Sequence, residues 1–192
     1  PGGSSAPWFV PAEHLDTPAT IDDVGKHGSM MGSGAVIVMD DSTDMVAAAH
    51  RIVRFYAHES CGQCTPCREG TSWLERILYR IMSGRGRPED IDLLLDVSDG
   101  ISPGLAWPPL MTTICPLGPS ATAPVVSLMQ YFRPEVEAMI LTAQTWALRA
   151  AGGRRPWSGE ITCPRCGERL GAIIDRDGNV RGCCQTVDCL WW

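Results

Sequence analysis

The chain has 192 residues, 44% of them hydrophobic and 20% charged, which suits one or two small domains able to bury a core. Its net charge of −6, with fifteen arginines and Lys26 as the lone lysine, argues against nucleic acid as the main partner, since phosphate binding needs a concentrated positive face. No apolar run is long enough to span a bilayer and no signal-peptide pattern opens the chain, so a soluble, cytoplasmic protein is expected, and nine cysteines in metal-like spacings fit a reducing compartment.

Residues 1–41 are rich in glycine and proline, and Pro1-Gly2-Gly3-Ser4-Ser5 reads as the interior of a longer protein, so a fragment is expected. One strand is predicted here, Ala35-Val36-Ile37-Val38-Met39, bounded by Gly32-Ser33-Gly34 and Asp40-Asp41. Helical periodicity follows: Met45, Val46, Ala49, Ile52, Val53 and Tyr56 share a face, with Asp41 or Ser42 as the cap. A second helix is predicted from about Glu69 to Ser83, with Trp73, Leu74, Ile77, Leu78, Ile81 and Met82 on its stripe. A third begins at Pro88 and buries Ile91, Leu94, Leu95 and either Val97 or Ile101. Five prolines make residues 102–120 a loop, after which helices from about Ala121 to Phe132 and from Pro134 to about Leu148 complete a bundle. Residues 151–159 read as a linker and 160–192 as a separate small tail.

Chemistry concentrates in the cysteines. Cys61, Cys64 and Cys67 are each separated by two residues, and Cys115 follows Cys67 with 47 residues between and Pro116 directly after it. Such spacing lets a tight loop aim three sulfurs at one centre while a distant fourth closes the cage, as a cubane iron–sulfur cluster requires. Zinc also takes four thiolates, but its sites come as two separated pairs, and disulfides between neighbours in such a triplet are geometrically awkward. A four-thiolate [4Fe-4S] site is therefore expected, and with it one-electron chemistry. Gly62 and Gly70 would admit close approach of the backbone, and the start of the second helix would direct positive potential at the thiolates. Arg68 is either a cation offsetting their charge or a solvated helix-start residue, and His58 either tunes the cluster or caps a helix end.

The run His58-Glu59-Ser60-Cys61-Gly62-Gln63-Cys64-Thr65-Pro66-Cys67-Arg68-Glu69-Gly70-Thr71 resembles the NADH- and flavin-binding subunit of respiratory complex I, the NADH:quinone oxidoreductase. Thr113-Ile114-Cys115-Pro116-Leu117-Gly118, Gly34-Ala35-Val36-Ile37-Val38-Met39-Asp40 and Phe132-Arg133-Pro134-Glu135 extend the resemblance over roughly residues 1–145. It implies that Cys61, Cys64, Cys67 and Cys115 bind a [4Fe-4S] cluster that accepts electrons from reduced flavin and passes them toward quinone. It further implies a mainly α helical-bundle cluster domain over 42–150, preceded in 1–41 by the end of a small β-grasp-like, soluble-ligand-binding domain. The implied partners are the other subunits of the complex I peripheral arm, with the protein held at the inner face of the cell membrane through the complex. FMN and NAD are implied as cofactors of the family, but its Gly-Arg-Gly-Gly-Ala-Gly-Phe segment does not occur here. Gly32-Ser33-Gly34 and Gly84-Arg85-Gly86 read as turns, so the chain as given would not oxidise NADH alone. Related subunits of NAD-linked hydrogenases and formate dehydrogenases remain alternatives, as does a non-enzymatic binding module in which every cysteine set holds zinc.

In the tail, Cys163-Pro164-Arg165-Cys166 and Gly182-Cys183-Cys184 through Cys189 spell a small zinc ribbon, with Cys163, Cys166, Cys183 and Cys189 as ligands and Cys184 spare. It resembles the ribbons at the ends of bacterial type I topoisomerases. Asp177-Gly178-Asn179 would turn between strands at Gly171-Ile174 and Val180-Arg181, and metal would supply most of the stability. Its arginines are balanced by acids, which favours a metal-stapled tail over a docking or nucleic-acid module. No Ser/His/Asp or Cys/His arrangement suggests a hydrolase, and no catalytic nucleophile is expected.

Overall fold

A computed structural model describes residues 2–8, 13–105, 108–162, 168–177 and 180–184, with side chains at 142–150 and 181–184 outside the description. Helices dominate it, as expected: α1 (Ile21–Lys26), α2 (Met45–Glu59), α3 (Thr65–Met82), α4 (Glu89–Ile101), α5 (Leu117–Tyr131) and α6 (Arg133–Ala151) precede strands β1 (Trp157–Thr162), β2 (Arg169–Ile174) and β3 (Val180–Cys184). Two compact units result, residues 1–78 with 91–133 and residues 79–90 with 134–192.

In the first unit α2 starts at Met45, because Asp44 accepts from the amide of Ala47 at 2.9 Å. Ser42, expected as the cap, instead closes a turn on Asp40, and its hydroxyl and amide hold that carboxyl below the usual carboxylate range. An Asp44→Ala chain should therefore lose about 1 kcal/mol in urea denaturation, with no change in helix content of the folded state. Val46, Ala49, Val53 and Tyr56 are buried as predicted, together with His50. That face of α2 packs on α5, which is buried on nearly every side from Gly118 to Met129 and so is built of small and apolar residues.

The start of α3 differs from expectation. It begins at Thr65, not near Glu69, so Cys67 is its third residue. Leu74, Ile77 and Leu78 are buried, but Trp73 is 52% exposed and lies off the stripe assigned to it. Gly70 brings α3 against α4: a Cβ there would lie 2.7 Å from Ile101 Cδ1. Thr71 and Ser98, both fully buried, donate to carbonyls one turn back, Cys67 and Leu94, which satisfies them inside the core. α5 also starts early, at Leu117, because the first helical turn needs no amide donor from Pro119.

Two differences concern residues 1–41. Helix α1 was not foreseen, although Thr20 accepts from the amide of Asp23 and two acids follow in the first turn. The predicted strand at 35–39 is absent: Val36, Ile37 and Val38 are exposed, Val38 to 89%. The pairing found among the described residues of this region is an isolated bridge between Gly2 and Gly32, beside a Gly2 amide bond to the Ala35 carbonyl at 2.8 Å. Strand preference expresses packing against neighbours, and Val36–Met39 stay largely exposed with no strand paired to them among the described residues.

In the second unit Asp90, 2% exposed, accepts from Arg80 Nε at 2.9 Å, from a second nitrogen of the same guanidinium, and from the Arg87 amide. Val136 and Ile140 are buried on α6. Gly152 and Gly153 adopt φ of +56° and +82°, ending α6. β1, β2 and β3 then pair antiparallel in that order, and β2 buries Leu170, Ala172 and Ile174 on one face. Two of these strands were foreseen in part; β1 starts at Trp157, so its first three residues fall in the stretch that composition assigned to the linker.

Candidate iron–sulfur site

Helix α2 ends at Glu59, with Ser60 extended as its C-cap. The chain then turns through Gly62 at φ +79°, a conformation that glycine adopts without strain, and enters α3 at Thr65. Cys61, Cys64 and Cys67 thus sit on a five-residue turn and the first turn of the following helix. Cys61 is exposed, Cys64 half-buried and Cys67 buried. The hydroxyl of Ser60 lies 3.5 Å from Cys67 Sγ and accepts from the Gly62 amide. Arg68, weighed above as a cation or a solvated residue, braces this turn: Nη1 donates to the Gly62 carbonyl at 2.7 Å and Nε to Glu69 at 2.8 Å.

The loop from Ser102 to Pro116 brings the fourth cysteine. Ser102 donates to the Leu110 carbonyl, Thr112 to the carbonyls of Gly100 and Ile101, and Thr113 to the carbonyl of Cys115 at 2.8 Å. These bonds fold the loop so that the Ile114 amide donates to Cys64 Sγ at 3.3 Å, across fifty residues of sequence. Cys115 is therefore the residue after one that touches the triplet, and it is exposed. Directly beyond it α5 begins, so helix N-termini start at both thiolate segments, at Thr65 and at Leu117, where unpaired amides favour negative charge.

The donor set suits a cubane: four thiols, an amide donor on one sulfur, a hydroxyl beside another, and two positive helix ends. Among the described residues no three His, Cys, Asp or Glu side chains are grouped to hold one metal ion. A cubane places each thiolate on a different iron and so takes sulfurs set wider than the ligands of one ion. Of the zinc ligands expected in the tail, Cys163, Cys166 and Cys189 lie outside the described residues, and Cys183 contributes only backbone, paired with Gly171 in the sheet.

Other residues fall differently from expectation. His58 is exposed and its Nδ1 lies 2.9 Å from Glu59, so its partner is a carboxylate. His50 Nε2 meets Glu75 at 2.9 Å, tying α2 to α3. Ser60 and Thr113 were missed as site residues. The first could have been found as a hydroxyl adjoining the triplet, but the second acts through backbone geometry that a pattern does not show. Between Asp99 and Arg133 the chain has no charged residue or histidine, and around Cys115 it exposes Leu110 and Met111, and Ile114 to 82%.

Residues 47–139 match the profile of the NADH-ubiquinone oxidoreductase-F iron-sulfur binding region, so this helical part of the chain is an iron–sulfur binding domain. Over 140 residues, 73% of the chain, it is 48% identical to the F subunit of NADH-quinone oxidoreductase from Mycobacterium tuberculosis and 46% identical to that from Streptomyces coelicolor. Over residues 47–139 the chain is thus similar to the oxidoreductase-F iron–sulfur region. It spans 29% of the length of these two relatives. In structure it is similar to a chain of NAD+-reducing [NiFe]-hydrogenase in the H2-reduced state, with a TM-score of 0.61 and 30% identity over 80% of this chain and 26% of that one.

Proposed function

We propose that the four thiolates of Cys61, Cys64, Cys67 and Cys115 hold a [4Fe-4S] cluster, and that residues 42–150 act as a one-electron relay within an NADH:quinone oxidoreductase. One observation carries this: the amide of Ile114 on the sulfur of Cys64, which joins the fourth-cysteine loop to the triplet. When bound, the cluster supplies reversible uptake of a single electron. The chain's own residues do the rest. Thr113 and Arg68 fix the two loops, the N-termini of α3 and α5 and the Ile114 amide offset thiolate charge, and buried Leu74 and Ile101 hold the helices that carry the loops.

Electrons would enter from reduced flavin and leave toward quinone through neighbouring subunits of the peripheral arm. FMN and NAD belong to the family, and no residue of this chain is assigned to either. An uncharged, partly apolar surface beside exposed cysteines suits contact with such subunits, because charge is depleted at the centre of protein interfaces. Among the described residues no helix is long and apolar enough to cross a membrane, and attachment at the inner membrane face would come through those partners. Residues 160–192 would be a zinc ribbon stapled by Cys163, Cys166, Cys183 and Cys189 after the linker, and residues 1–41 the end of a β-grasp-like domain. The likeness to the NAD+-reducing hydrogenase supports a second reading, the same relay in an NAD-linked hydrogenase.

Anaerobic assembly of the chain with iron and sulfide tests the relay. The expected product is brown, contains iron and acid-labile sulfide in equal amounts, and gives a paramagnetic signal on reduction by dithionite. A colourless chain that retains only zinc would contradict it.

A further inference from the structure

We propose that Ser60 is a positioning residue that sets the reduction potential of the site by donating its hydroxyl hydrogen to the sulfur of Cys67; this rests on the cluster assignment above. The direction of the bond follows from the chemistry of the two atoms. Cys67 must lose its proton to bind iron, so its sulfur can only accept, and the 3.5 Å contact then has Ser60 Oγ as donor. The lone pairs of the same oxygen face the other way, where the Gly62 amide donates to it at 3.5 Å. A relay of amide to hydroxyl to thiolate results, in which the first bond polarises the second.

Its position makes the bond selective for one redox state. Ser60 is the C-cap of α2, held at φ −61° and ψ 121° by the end of a 15-residue helix, and Cys67 is buried within α3. The Cys67 sulfur is thus held inside the fold, and the half-buried Ser60 hydroxyl lies beside it. When one electron is added, negative charge on the cysteine sulfurs rises, and a fixed O–H donor stabilises that state more than the oxidised one. Ser60 thereby raises the potential. The Ile114 amide acts in the same sense on Cys64, but a backbone donor cannot be removed by an ordinary side-chain change, whereas the Ser60 hydroxyl can.

The test is a dithionite titration of the reconstituted full chain, followed by paramagnetic resonance. Ser60→Ala should assemble iron and sulfide as the parent does, while the equilibrium constant for one-electron reduction falls by up to about tenfold, a shift of ~59 mV to more negative potential. Ser60→Thr, which keeps the hydroxyl, should restore the parent value. Ser60→Val has the shape of threonine without the hydroxyl and should behave as alanine, so the threonine–valine pair carries the comparison if the alanine chain loads poorly. Loaded Ser60→Ala or Ser60→Val chains with the parent potential would overturn the proposal. It would equally be overturned if neither hydroxyl-free chain held iron while Ser60→Thr did, since the hydroxyl would then serve assembly. Failure of the parent chain to bind iron would instead strike at the cluster assignment.

Discussion

Cys64→Ser and Cys115→Ser should each reduce bound iron from full loading to background while leaving the helical circular dichroism of the chain unchanged. A serine hydroxyl stays protonated at neutral pH, where a thiol is readily deprotonated, so it does not replace a thiolate on iron. Cys64 lies just before α3 and Cys115 two residues before α5, both outside the helices, and neither side chain fills the core. Loss of iron without loss of structure is thus the expected signature of a ligand. The pair is informative because the two residues are far apart in sequence and their segments meet at the hydrogen bond from the Ile114 amide to Cys64. If Cys115→Ser retained full iron while Cys64→Ser lost it, the site would be built from the triplet and some other donor.

Gly118→Ala should lower stability by about 1–3 kcal/mol in urea denaturation and impair iron loading. Its Cβ would stand 2.9 Å from Ile101 Cγ2, Thr113 Cγ2 and Thr113 Oγ1, closer than real Cβ contacts come. Ile101 and Thr113 are both buried, so neither withdraws without moving its backbone. Thr113 is also the residue whose hydroxyl holds the Cys115 carbonyl, so strain at Gly118 passes to the fourth cysteine. Gly100→Ala is the control. It lies in α4 with nothing within 4 Å of the added carbon, and should be neutral or stabilising by up to about 1 kcal/mol. Equal losses from both substitutions would show that the crowding at Gly118 is relieved elsewhere.

What could be read from the sequence followed the range of the interactions involved. The triplet is a local signal: two-residue spacing around Gly62 is enough to imply a turn that gathers sulfurs, and the turn is there. The apolar faces of α2 and α4 were also legible, because Val46, Ala49, Val53, Ile91 and Leu94 repeat with the helical period. The start of α5 was misjudged where the prolines of 102–120 were read as a loop. Pro119 lies in the first turn of α5, as Pro66 does in that of α3, positions whose amides have no intrahelical partner to lose.

Non-local effects escaped the sequence for a different reason. Val36–Met39 has the composition of a strand, but a strand exists only beside a partner, and composition does not supply one. Trp73 was assigned to the stripe of α3 yet is half-exposed, since the width of a buried face is set by the neighbour that covers it. The contact from Ile114 to Cys64 depends on hydroxyls of Ser102, Thr112 and Thr113 folding one loop, none of which carries a recognisable motif. The expectation that Cys115 approaches the triplet came from cluster chemistry and family resemblance, and the course of its loop came from these bonds.

Protection of individual cysteines from alkylation tests the proposed ligand set most directly. Cys61 and Cys115 are exposed, so in the metal-free chain both should react rapidly with iodoacetamide. In the iron-loaded chain peptide mapping should find Cys61, Cys64, Cys67 and Cys115 all unmodified, and all four should become reactive after chelation. Modification of Cys115 at the same rate with and without iron would contradict the account.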